Sequence, residues 1–381
     1  MNLLWINFIH LYQPANSPAE RIAEAVEKSY LRLTRLLEEH PNLHFTANIS
    51  GCLLERLNEG GYGTLLERWK KLIADGRLEI VGSAAYHGFL PLLPESEVRY
   101  QIRRQEEIVK ELLGADIRKG GFFLPEMAYS SELGKLLASL GYRWLILDAA
   151  CLPKEAPKEE IFKDRDSGLI AVIRQREYSN SYAPDLVGRL LKEGKAPELM
   201  VTATDAELYG LRHEDPTAEL EKMAALPQLN TDTISNFLKG KDVPETKLLP
   251  GTWETDRQID RKNPYAIWDG NGLQHDLWRL AGIALKAGKR YGADENFSAY
   301  RWHLDRGLAS CMFWWASGRD FFHSMGPVAW SPDEIEAGLN DLVRSVRSLK
   351  HPESRKVKLA TERMATRIRG KIWRLHWQKH F

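Results

Sequence analysis

Acidic and imidazole side chains recur in this sequence at one kind of place, beside or directly after a short apolar run. Leu3–Ile9 is followed by His10-Leu11-Tyr12-Gln13-Pro14, and Leu78–Gly82 holds Glu79 and leads to Ser83-Ala84-Ala85-Tyr86-His87. Gly121–Leu124 runs into Pro125-Glu126-Met127-Ala128-Tyr129, and Leu199–Ala203 into Thr204-Asp205-Ala206-Glu207. Gly251-Thr252-Trp253-Glu254 comes just before such runs stop. Carboxylates next to apolar strands are costly unless solvated, paired or used in chemistry. Two of them on one rim is the equipment of nucleophilic and general acid/base catalysis. For one Asp or Glu alone, a helix cap or a rim ion pair is the plainer explanation. Glu126 is a poor cap between Pro125 and Met127, and Ser130 or Ser131 suits the following helix better. For Asp205 and Glu207 capping competes more closely.

The elements that must hold these residues are legible in the same pattern. His44–Ile49, Arg143–Leu147, Leu169–Ile173 and Lys247–Leu249 read as further strands. Amphipathic stretches between them read as helices. The clearest opens at Ser17-Pro18-Ala19-Glu20, a capping box with proline at the first helical position. It sets Ile22, Val26, Tyr30, Leu33 and Leu37 on one face and stops at His40-Pro41. The alternation predicts a parallel sheet covered by helices, either a barrel or a doubly wound sheet. In both, side chains at the C-terminal strand ends face the active site. After about residue 265 the strand signals cease, and 272–289, 296–317, 331–349 and 353–379 read as helices. The expected division is a catalytic βα unit over residues 1–265 and a helical unit over 266–381 that contributes to the active-site cleft.

Bulk composition excludes several partners. The 381 residues are 43% hydrophobic and 28% charged, as in a globular protein. A formal charge of +1, from 53 basic and 52 acidic side chains, gives no electrostatic reason to expect nucleic acid or an anionic membrane. The Arg- and Lys-rich last helix reads as a solvated face rather than a polyanion site. Twelve Trp are many; most such residues are core, but flat aromatic faces also stack on sugar rings. Cys52, Cys151 and Cys311 lie far apart, against a disulfide framework or a cysteine zinc site. The N-terminal stretch reads as a buried strand rather than a signal peptide, and no apolar run approaches the ~20 residues that span a bilayer. The expected compartment is the cytoplasm.

His10–Pro14, Gly76-Arg77-Leu78-Glu79-Ile80-Val81, Gly121–Ala128 and Asp205-Ala206-Glu207-Leu208-Tyr209-Gly210 resemble, in order, the motifs of glycoside hydrolase family 57. That family holds α-amylase-like enzymes, 4-α-glucanotransferases, amylopullulanases, branching enzymes and some α-galactosidases. Each motif alone is a weak match; four in order, within a resemblance reaching to about residue 320, are a strong one. The resemblance implies an incomplete (β/α)7 barrel followed by a C-terminal helical bundle. It also implies a retaining mechanism on α-linked oligo- or polysaccharides, with Glu126 as nucleophile, Asp205 as general acid/base and no cofactor or metal. Glu79 and Glu207 match further polar positions of the family's site, Trp253 matches a Trp near the subsites, and His10, Tyr12, Gln13, His87 and Trp315 join them as expected substrate contacts. Retention requires the two carboxyls about 5–5.5 Å apart. Glu207 close to Asp205 is expected to raise the Asp205 pKa and keep it protonated.

Two departures stand out. The family's first motif usually reads His-x-His-Gln-Pro, and Tyr12 replaces the second histidine. A phenol can hydrogen-bond a sugar hydroxyl but carries no positive charge. Members also commonly have an Asp before the aromatic cluster of the helical region, whereas Ala309–Trp315 offers none until Asp320. Both changes bear on substrate positioning and count against a standard long-glucan amylase or branching activity. Two alternatives remain: a catalytically silent sugar-binding or regulatory relative, and a metal-dependent polysaccharide deacetylase. The latter wants two histidines one helical turn apart. His40 and His44 have that spacing, but Pro41 separates them into different elements.

Overall fold

The computed structural model describes residues 2–256, 260, 262–319 and 329–380. These fall into two compact units, Met1–Ala85 with Leu90–Trp253, and Tyr86–Phe89 with Glu254–Phe381. Described strands of the first unit are β1 (Leu3–Leu11), β2 (Phe45–Ile49), β3 (Leu78–Ile80), β4 (Gly121–Phe122) and β5 (Trp144–Asp148). They continue with β6 (Ile161–Asp164), β7 (Ile170–Arg174), β8 (Leu199–Asp205), β9 (Leu229–Thr231) and β10 (Glu245–Thr246).

β1 is buried along nearly its whole length, as a strand covered on both faces must be. It pairs in parallel with β2 and β8, and β2 pairs with β3. A second parallel set joins β4, β5 and β7. The sets meet at two seams. Gly82 N donates to Gly121 O at 2.9 Å and Phe123 N to Gly82 O at 2.8 Å, linking β3 to β4; Gln175 N donates to Val201 O at 2.9 Å, linking β7 to β8. Strands β1, β2, β3, β4, β5, β7 and β8 thus close into an incomplete (β/α)7 barrel, its seams made of one or two backbone hydrogen bonds rather than full ladders. Glycine is required at the first seam: a Cβ on Gly121 would lie 2.1 Å from the Trp144 ring.

Ile6, Phe8, Phe123, Met127, Ile146 and Val201 fill the barrel together with Ile234 and Phe237. The last two come from the short helix Ile234–Phe237.

Several elements differ from their sequence pattern. The first helix starts at Ala19 with Pro18 as its N-cap and no side-chain cap bond. Ser17 is instead drawn into a turn, its N–H donating to Pro14 O at 2.9 Å. That helix also widens into a π-turn over Val26–Tyr30 before resuming as Leu31–Glu39. β6 and β9 escaped the pattern because Ile-Phe-Lys-Asp and Leu-Asn-Thr are too short and too polar to register. The strand expected at 247–249 lies at Glu245–Thr246.

The second unit contains the helices Ala266–Asp269, Gly272–Arg290, Phe297–Gly307, Ser310–Trp315, Pro332–Ser348 and Arg355–His380. Leu277, Leu304, Leu339, Val346 and Ile372 are among its buried residues. The helix expected over 296–317 breaks at Leu308-Ala309, where Ser310 N donates to His87 O at 2.9 Å. Among the described residues no helix is long and apolar enough to cross a membrane.

Candidate active site

Three strand ends of the barrel carry the residues that sequence reasoning singled out. His10, near the end of β1, stands in register with Asn48 of β2 and Asp205 of β8. Its Nδ1 donates to Asn48 Oδ1 at 2.9 Å, which leaves Nε2 as the acceptor nitrogen. Burial pushes its pKa down to about 4, overcoming the opposing charge of Asp205, so the ring is neutral at pH 7. The ring lies 5.7 Å from Tyr12 in a near-parallel stack, 4.5 Å from Phe123 and 6.4 Å from Trp253.

Glu126 occupies a tight turn, Pro125–Met127, just beyond β4. Glu126 and Met127 both adopt left-handed backbone, at φ 61° and 49°. Such a conformation costs a non-glycine residue about 1–3 kcal/mol, so the surroundings must hold it. Met127 is locked into the barrel core. On the other side Trp253 Nε1 donates to Glu126 Oε2 at 3.0 Å and Trp253 N to Glu126 O at 3.2 Å. Tyr129 and Gly251 exchange backbone hydrogen bonds at 2.9 and 3.3 Å, tying the two segments together. Ser130 caps the next helix, its side chain accepting from Leu133 N, as its position in the sequence suggested.

Trp253 is itself supported by an ion network around buried Asp148 that sequence reasoning missed. Asp148, fully buried, accepts from Arg174 Nε and Arg176 Nε, each at 2.8 Å. Arg176 Nη2 donates to Trp253 O at 3.0 Å, and the Arg174 guanidinium lies 5.5 Å from the Trp253 ring centre. Asp148 and Arg174 are register partners at the ends of β5 and β7. The strand-end criterion that found Glu126 and Asp205 applies to them equally.

Asp205 ends β8 with ordinary extended backbone and makes no side-chain cap bond. Arg212 Nη1 donates to its Oδ2 at 2.5 Å. Glu207, two residues on, is 1% exposed. Its Oε1 accepts from Tyr30 OH at 2.5 Å and Gln13 Nε2 at 2.9 Å. Burial first, then the charge of Asp205, pushes the Glu207 pKa up to about 7. A raised carboxyl pKa at this turn thus belongs to Glu207. Tyr30 and Arg212 were not foreseen. Tyr30 was read only as part of an apolar helix face, and Arg212 has no pattern of its own.

His10 connects the two acidic turns. It is paired in register with Asp205, and its ring contacts the Trp253 that bonds Glu126. Glu79 stands apart, level with Thr46 of β2 rather than with Asn48. Its Oε2 accepts from Thr46 Oγ1 at 2.9 Å and Ser235 N at 3.1 Å, at the start of the helix inside the barrel, and burial raises its pKa. His87 and Trp315 belong to the second unit. There His87, in left-handed backbone at φ 56°, shares a hydrogen bond of 2.9 Å with Ser310 Oγ. Trp315 packs edge-on against Trp314 at 4.7 Å. Asp320 lies outside the described residues.

Comparison with known proteins agrees with this architecture. The model of glycosyl hydrolase family 57 matches residues 5–229. An α-amylase of Pyrococcus abyssi is 34% identical over 148 residues, 38% of this chain and 22% of that protein. The chain spans between 22% and 33% of the length of the first curated relatives it matches. In structure it is similar to 4-α-glucanotransferase from Thermococcus litoralis, with a TM-score of 0.73 at 18% identity, covering 92% of this chain and 60% of that one. The branching enzyme of Pyrococcus horikoshii gives a TM-score of 0.71 at 15% identity, covering 96% and 94%. At such identities these two likenesses speak for the fold alone.

Proposed function

The chain belongs to glycosyl hydrolase family 57, and we propose that it is a retaining glycoside hydrolase or transglycosylase acting on α-glucan or related α-linked saccharides. Glu126 attacks the anomeric carbon and Asp205 serves as acid and then base. The observation that carries this reading is the strained turn at Glu126. Its carboxylate is buried, fixed by two left-handed residues and bonded at Oε2 by the Trp253 indole. Strain of this kind persists where a side chain must be held in one place.

In the first step Glu126 forms a bond to the anomeric carbon as the glycosidic C–O bond breaks, and the departing oxygen takes a proton from Asp205. In the second, Asp205 removes a proton from water or from a sugar hydroxyl, whose oxygen displaces Glu126. Water as acceptor gives hydrolysis and a sugar gives transfer. Neutral His10 suits a sugar contact, because it places no second cation beside Arg212. The α-amylase name of its sequence relative supports α-glucan as the substrate class.

The test is a screen of maltooligosaccharides, glycogen and aryl α-glycosides, reading product size and anomeric form. Products of retained configuration are expected, and Glu126→Gln should abolish them. Turnover by Glu126→Gln, or products of inverted configuration, would overturn the proposal. Sugar binding without turnover on any α-glycoside would point to the silent relative.

A further inference from the structure

We infer that Arg174 is the positioning residue that sets the spacing of the carboxyl pair, bonding at once to the segment that holds Glu126 and to the strand that carries Asp205. The inference rests on the reading of Glu126 and Asp205 as that pair. Retention depends on their separation. Glu126 follows β4 and Asp205 ends β8, so that separation is set by whatever ties the two elements together.

A tie is needed because the sheet is thin at this point. β7 and β8 are joined by a backbone bond from Gln175 N to Val201 O at 2.9 Å rather than by a ladder. At the next rung β7 has turned away into the short helix Arg176–Ser179, and side chains stand in for backbone. Ser179 Oγ accepts from Ala203 N at 3.2 Å, and Arg174 Nη1 donates to Ala203 O at 3.2 Å. Ala203 lies two residues before Asp205 on β8 and is fully buried, so water cannot replace a bond lost there.

The same guanidinium reaches the Glu126 side. Arg174 Nη2 donates to Trp253 O at 3.4 Å, and its central carbon lies 5.5 Å from the centre of the Trp253 ring. Trp253 in turn holds Glu126 through its indole at 3.0 Å and its backbone N–H at 3.2 Å. Every contact between residues on the route from Ala203 to Glu126 is therefore a hydrogen bond.

Asp148 anchors the arrangement. Its Oδ2 accepts from Arg174 Nε at 2.8 Å, and its Oδ1 accepts from Ala150 N and Arg176 Nε, each at 2.8 Å. Arg176 Nη2 repeats the grip on Trp253 O at 3.0 Å, and Arg174 adds the bond to β8. A planar fork suits this task. Nε, Nη1 and Nη2 of Arg174 serve three elements in fixed relation, which the single ammonium of a lysine cannot do.

Arg174→Lys keeps a positive charge beside Asp148 and removes the fork. The thermal melting point should stay near that of the parent, and KM for maltooligosaccharides should stay within about threefold. kcat should fall about 100-fold, the effect of misplacing a reacting group by about 1 Å. Because the route to Glu126 passes through Trp253, this loss should couple with that of Trp253→Phe. The double variant should fall short of the product of the two single losses by about tenfold or more. An arginine that only stabilises the fold would instead lower the melting point, leave kcat per folded enzyme unchanged and give multiplicative losses. A kcat within about threefold of the parent, or multiplicative losses, would overturn the inference. If Arg174→Lys fails to fold, Asp148→Asn enters the same cycle. It keeps the shape but weakens the hold on both guanidiniums, and should lower kcat about tenfold with the same coupling to Trp253→Phe. Turnover by Glu126→Gln would sink the proposed function as a whole. An inactive Glu126→Gln beside an unimpaired Arg174→Lys would sink only this inference.

Discussion

The turns that carry Glu126 and Asp205 leave the same end of the barrel but are held in opposite ways. At Glu126 the backbone does the holding: two successive left-handed residues, a reciprocal pair of bonds between Tyr129 and Gly251, and Met127 sunk into the core. Its carboxylate meets a neutral indole donor. At Asp205 the backbone is ordinary and side chains do the holding, through Arg212 on Asp205 and Tyr30 with Gln13 on Glu207. The contrast follows the work each turn has in the proposed mechanism. A nucleophile must keep one position, while an acid/base must change its charge and have that change absorbed nearby.

The largest effect should come from breaking the Glu126 side. Glu126→Gln preserves shape and its acceptor oxygen but removes the nucleophile, so kcat should fall by about 10⁴-fold or more with the thermal melting point little changed. Asp205→Asn should cost about 10²–10⁴-fold on oligosaccharides, and less on nitrophenyl glycosides, measured as kcat/KM for each.

The side-chain-held turn should also show itself in stability. Because its folded pKa of about 7 lies above the ordinary 4.5, Glu207 contributes stability that is fully present below pH 4.5 and lost as pH rises through about 7. Relative to Glu207→Gln, the parent should therefore lose about 3 kcal/mol across that window, followed by urea midpoints from pH 4.5 to 8.5. A flat difference would show that burial does not hold a proton there. Trp253→Phe keeps the ring but removes one donor to a carboxylate, worth about 1.5–3 kcal/mol, so kcat should drop roughly 10- to 100-fold. The smallest effect is expected away from both turns. Glu79→Ala strips Ser235 N and Thr46 Oγ1 of an acceptor and should cost about 1–3 kcal/mol in unfolding free energy by denaturant titration.

Much of this was legible in the chain. Period-two and near-continuous apolar runs marked seven of the strands, because burial on a sheet leaves a local trace. The rule that polar strand ends face the site found Glu126, Asp205, His10 and Trp253, which the structure brings together through the His10 ring. The same rule grouped Glu79 with them. Glu79, however, sits mid-strand and is taken by the helix that enters the barrel after β9, an element whose single leucine gives no pattern to read.

Sequence alone determined which residue types stand after which strands, and so the kind of chemistry on offer. Tertiary structure decided the state of each group. The partners that set it are distant in the chain: Tyr30 and Glu207 are 177 residues apart, and Trp253 and Glu126 are 127 apart. No local periodicity records such pairings, since they arise only when the barrel closes and removes the carboxyls from water. That closure raised the pKa of Glu207, twisted Glu126 into left-handed backbone, and turned a residue of an apolar helix face, Tyr30, into a donor for the acidic turn.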